Sequence, residues 1–97
     1  MKKKTGKCRG VTVDVTWEDI AKGQPEEKCL CPIALALMRV GFRDVTVTGE
    51  EIRVGKRIEE TPEAAAEFVD LFDADRVLVE PFSFCLPVPA PRKRKAT

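Results

Sequence analysis

The chain predicts an α+β fold: a small, mainly antiparallel sheet of about four strands with helices on one face, in the order β-α-α-β-β-α-β. Three observations carry this expectation. Apolar residues alternate with polar ones over 11–17, 45–48 and 82–86, the period of a half-buried strand. Apolar residues three and four apart over 32–40 and 64–72 have the period of a helix with a buried face. Glycine or proline stands at most places where one period gives way to the other.

Val11, Val13, Val15 and Trp17 share one parity against Thr12, Asp14 and Thr16, so the first strand buries one face. Thr16 followed by Asp19 resembles a capping box and opens a short helix over 17–22, which Gly23 ends as a left-handed cap. Trp17, at the strand-to-helix junction, reads as core, with a stacking platform for a ligand as the alternative. A polar loop over 24–28 contains Pro25.

The second helix begins at Pro32, which loses no N–H at a first helical position, and stops at Gly41. Ile33, Leu37 and Val40 form a stripe that Ala34, Leu35 and Met38 widen. A helix so apolar around its girth belongs at the centre of the core or in a subunit interface. Val45 and Val47 alternate with Thr46 and Thr48 in a second strand; Gly49-Glu50 is a hairpin turn and 51–54 returns. Gly55 marks a turn or bulge before 56–60, with Ile58 pointing inward. Thr61 caps the third helix with Pro62 at its first position, and Ala64, Ala65, Phe68, Leu71 and Phe72 form its buried face. A long last strand over 76–86 changes phase, because Val77 and Val79 have one parity and Phe82, Phe84 and Leu86 the other. Pro81 implies a bulge, kink or strand end at the change, unless a second subunit covers the other face. The first and last strands are expected to be neighbours.

Three regions follow: a basic disordered arm over 1–9, one globular domain over 10–86, and a Pro-rich basic tail over 87–97. The net charge of +1 conceals a segregation. Nine of the seventeen cations, among them Lys2, Lys3, Lys4, Arg92, Lys93, Arg94 and Lys95, lie in the two arms; eight remain against sixteen carboxylates, so the middle carries −8. Basic arms can hold nucleic-acid backbones by releasing counterions, or can serve only to solvate the chain. An acidic middle argues against a DNA-reading domain. No apolar run approaches the roughly 20 residues of a membrane span, and the basic start lacks an apolar stretch behind it, so a cytoplasmic protein with no membrane partner is expected.

The chain has no histidine and no tyrosine, which excludes Ser-His and Cys-His catalytic pairs and histidine metal ligands. It has no phosphate-binding glycine loop. No enzyme activity, cofactor or metal is expected. Cys8, Cys29, Cys31 and Cys85 lack the paired spacing of a structural zinc site and read as free thiols, some of them buried. The sequence leaves open whether they pair. Cys31 stands at the mouth of the second helix, where free N–H groups and the helix dipole can hold an anion or lower a thiol's pKa. A candidate ligand site follows, with Cys31, Pro32 and Ile33 at the helix mouth, Lys28 adding charge, and Trp17, Arg39 and Arg43 within reach. The plainer alternative is a small residue fitted to a tight corner.

Asp19, Ile20 and Gly23, then Cys31-Pro32-Ile33-Ala34 with Ala36, then Pro81, Phe82 and Phe84 together resemble a group of small phage and prophage proteins over about residues 11–86. The resemblance transfers no catalytic residue. It implies a non-enzymatic binding protein that inhibits a host factor or sequesters a defence-signalling nucleotide in the host cytoplasm. Three alternatives stand beside it: nucleic-acid attachment through the arms, a zinc or redox module, and a small structural domain. The apolar second helix and the two-phase last strand, through Leu35, Phe82 and Phe84, suggest a homo-oligomer.

Overall fold

The computed structural model describes residues 10–89 and 91. The elements run β1 (Val11–Val15), α1 (Trp17–Lys22), α2 (Pro32–Val40), β2 (Val45–Val47), β3 (Glu51–Val54), β4 (Arg57–Glu60), α3 (Glu63–Ala74), a 3-10 turn (Arg76–Leu78) and β5 (Phe82–Leu86). The fold is α+β, as expected, but its strands form two sheets rather than one. β1 pairs antiparallel with β5, Val13 opposite Phe84, so the first and last strands are neighbours. β2, β3 and β4 make a separate antiparallel meander.

α2 joins the two sheets. It packs on β1 and on β2, with α1 against it. Pro32, Ile33, Ala34, Ala36 and Leu37 are buried, so the over-apolar helix is a central rod of the core. Gly41 ends it at φ 124°, in the region that favours glycine. Val13, Val15, Ile52, Phe72 and Leu86 close around it.

Several expectations are corrected. Gly23 is extended (φ −68°, ψ 158°), not left-handed; a Cβ there would lie 2.6 Å from Cδ of Pro32, so the glycine serves close approach. Thr61 does not cap α3: its hydroxyl donates to the Thr48 carbonyl at 2.8 Å, tying the helix start to the β2–β3 turn, and Pro62 takes the cap position. The buried face of α3 is Ala65, Phe68, Val69 and Phe72, rotated so that Ala64 and Leu71 reach solvent.

Ile58 does not point inward. A two-residue turn at Gly55-Lys56 sets Val54 opposite Arg57, so Arg57 and Glu59 share the face of Val54 and Ile52, and Ile58 falls on the other side, 52% exposed. The long last strand is also shorter than expected. Residues 76–78 form the 3-10 turn, its first N–H groups met by Asp75, and the strand starts only after Pro81. The phase conflict disappears, because Val77 was never on a strand. Phe84 is buried, and partly buried Phe82 stacks on Phe68 at 4.9 Å, so both pack against this chain's own core. The body also runs past residue 86, since Val88 is buried and its N–H reaches the Leu86 carbonyl.

Candidate functional site

Local chemistry fixes the start of α1. Thr16 and Asp19 form the capping box: the Asp19 N–H donates to the Thr16 hydroxyl oxygen at 3.2 Å, and the Asp19 carboxylate accepts from the Thr16 N–H at 2.9 Å. The same carboxylate, itself buried, accepts from Arg39 of α2 at 2.7 Å. Arg39 also donates to the Asp14 carbonyl at 2.8 Å, so one guanidinium joins β1, α1 and α2. It is committed to the scaffold rather than offered to a ligand.

At the other end of α1, Arg76 donates to the Ala21 and Gly23 carbonyls, both at 3.2 Å, and lies over the Phe72 ring. A helix leaves its last carbonyls unpaired, and a cation there is favourable. This anchor presses the 3-10 turn against α1 and turns the next two side chains outward. Val77 is 79% exposed and Leu78 52%.

Trp17, expected in the core, is 64% exposed. As the first residue of α1 it follows the parity break at Thr16, and its ring leaves the face that Val13 and Val15 bury. Trp17 lines two shallow grooves, and a third adjoins them. One, of about 350 Å³, lies between Trp17, Ala21 and Val77. A second, of about 370 Å³, runs from Trp17 to Pro81 and Phe82. The third, of about 350 Å³, continues from Pro81 and Phe82 to Leu78 and Leu71. Shared walls make them one apolar surface. Asp14, Glu67 and Glu80 stand on its rim.

The mouth of α2 does open on a cleft, of about 300 Å³, lined by Cys31 and Lys28. Its other charged walls are Glu26, Glu27, Asp70 and Asp73: four carboxylates against one ammonium, a poor match for an anion. The Cys31 side chain makes no cap hydrogen bond. Burial pushes its thiol pKa up from the ordinary 9.0, and Asp73 adds to the rise, although the Ala34 and Ile33 N–H groups pull it partly back. Cys31 therefore stays a protonated, unreactive thiol near neutral pH.

The expected ligand residues do not converge. Pro32 and Ile33 are buried behind the cleft, Trp17 lies on the other surface, and Arg43 is exposed in the α2–β2 loop, its carbonyl accepting from Gly55. Cys29 and Cys31 are free thiols, whereas Cys85 is disulfide-bonded, against the expectation of free thiols. Among the described residues, no group of three or more His, Cys, Asp or Glu side chains could hold a metal, and no helix is long and apolar enough to cross a membrane. The arm cations Lys2, Lys3, Lys4, Arg92, Lys93, Arg94 and Lys95, and Cys8, lie outside the described residues. Val77, Leu78 and Pro81 were missed as surface residues because a strand reading absorbed them. The available signal was Asp75, a good cap residue for a turn, standing six positions before a proline. Compared with known proteins, the chain matches no family model, no curated protein and no solved structure.

Proposed function

We propose that this is a non-enzymatic binding protein of the phage type, which works in the host cytoplasm by occupying a surface of a host protein. The single observation that carries the reading is the exposed Trp17, with Val77 beside it and Leu78 on the adjoining groove. Tryptophan is the side chain that most often dominates binding energy when a partner buries it, and apolar patches with a polar rim mark contact surfaces. The phage setting rests on the resemblance over Cys31–Ala36 and Pro81–Phe84. A protein partner is favoured over a signalling nucleotide because the cleft at the α2 mouth is acidic.

The test uses the wild-type chain and Trp17→Ala side by side. Host proteins retained by the wild type alone are purified and titrated against both. Trp17→Ala is expected to weaken binding by about 30-fold or more while leaving the folding transition nearly unchanged, since an exposed side chain contributes little to stability. Equal affinity for both forms would remove this surface from the function. Thermal stabilisation of the wild type by a nucleotide, lost in Lys28→Ala, would replace the protein partner with a ligand at the cleft.

A further inference from the structure

β4 is the outer strand of the three-stranded sheet, paired to β3 on one side and to no described strand on the other. Such an edge presents a row of unused N–H and C=O groups that another strand can extend. The direction of those groups follows from the hairpin. Val54 and Arg57 flank the two-residue turn, with Gly55 at φ 61°, so Arg57 directs its N–H back to β3. Alternation then turns the backbone groups of Ile58 and Glu60 outward.

The side chains along this edge read Lys56-Arg57-Ile58-Glu59-Glu60: two cations, an apolar residue, two anions. The order reverses sign about Ile58. Edges guarded against association usually carry charges of one kind, which repel a copy of themselves. Here an antiparallel copy centred on Ile58 sets Arg57 against Glu59 on both sides of the axis, and brings the turn residue Lys56 toward Glu60 at each end. Opposite charges directly across a strand pair stabilise it, whereas like charges would not. Parity places Arg57 and Glu59 on one face, Ile58 and Glu60 on the other, so the Arg57–Glu59 pairs meet on one face and the two Ile58 side chains on the opposite one. Ile58, half in water in the single chain, meets its own equivalent at the axis.

We propose that two copies of this chain associate edge to edge through β4, in a two-fold register centred on Ile58 that joins two three-stranded sheets into one of six strands. The interface is small, so the dimer is weak and concentration-dependent, and salt loosens it. It leaves the Trp17 surface of each copy free. The proposal is therefore independent of the function argued above.

The experiment is sedimentation of the full chain over concentration, with two charge variants. Glu59→Lys with Glu60→Lys makes the edge wholly basic; Lys56→Glu with Arg57→Glu makes it wholly acidic. These side chains are exposed or half-buried, and circular dichroism confirms that each variant folds. Each variant alone is expected to be monomeric where the wild type dimerises, and an equimolar mixture of the two is expected to form a heterodimer. Combining all four changes restores self-association, because the order of signs is again reversed about Ile58. A wild type that stays monomeric at millimolar concentration would overturn the proposal. So would a dimer that persists in both charge variants, or one that only Trp17→Ala abolishes.

Discussion

The thiol of Cys31 sits at the head of α2 with almost no water around it, and this sets its chemistry. An ionised thiolate there would be poorly solvated, and so its pKa is raised above 9.0. In the unfolded chain the same thiol ionises near the ordinary value. Above that value the unfolded chain has lost a proton that the folded chain still holds. The unfolded state then binds fewer protons, and stability falls as pH rises. The contribution is fully present below pH 9.0 and is lost on the way up to the folded value. The melting temperature of the wild type is expected to decline more steeply above pH 9.0 than that of Cys31→Ala, in which this thiol no longer titrates. Parallel declines would show that the thiol is as easily ionised folded as unfolded. Labelling gives a second reading at neutral pH. Exposed Cys29 reacts with a thiol reagent well before Cys31 does.

Among the elements, the pair α1–α2 depends most on one side chain. Asp19 completes the capping box and holds Arg39, and it is itself buried. Asp19→Ala removes the cap and leaves Arg39 without its carboxylate, so a loss of about 2–4 kcal/mol is expected in chemical denaturation. Arg39→Ala leaves the Asp19 charge buried with only the Thr16 groups as donors and lowers stability as well. The double variant is expected to lose less than the sum of the two, and strict additivity would mean that the contact contributes nothing. This capping box was readable from Thr16 and Asp19 alone, because its partners are three residues apart. So were α2, whose proline start and glycine stop are local, and the hairpin at Gly49-Glu50. Ile58 was not. Its side depends on whether Gly55 opens a two-residue turn or a bulge, and one residue of register reverses every side chain after it. The stretch 76–80 was misread for a related reason. Val77 and Val79 share one parity on paper, but in the 3-10 turn residues two apart part company, Val77 exposed and Val79 buried, and Arg76 reaching back to Ala21 and Gly23 holds that turn in place. The site was half legible. The mouth of α2 is a cleft, as expected, but the carboxylates of Asp70 and Asp73 that give it its sign come from α3, which folding alone brings there.

At the scale of the whole molecule, charge is the dominant variable. The segment from Gly10 to Pro91 carries eight cations and sixteen carboxylates, while residues 1–9 and 92–97 carry nine cations and no acid. A body at −8 repels nucleic acid, so any attachment to it must come from the arms. Each phosphate neutralised releases bound counterions, and the logarithm of affinity then falls linearly with the logarithm of salt. For a single strand, with nine cations as the ceiling, the slope can be no steeper than about −6. Titration of a labelled oligonucleotide with the full chain is expected to show sequence-blind binding at low salt that disappears toward physiological ionic strength. A chain cut to residues 10–91 is expected to show none at any salt. Binding by the cut chain would mean that the acidic body holds a basic surface of its own. A slope near zero in the full chain would mean that its contacts are not with phosphate. The same cut shifts the net charge from +1 to −8, so the shortened protein is retained by an anion exchanger at neutral pH where the full chain passes. The arms thus set how the molecule meets other polyelectrolytes, while the Trp17 surface and the β4 edge both lie on the body.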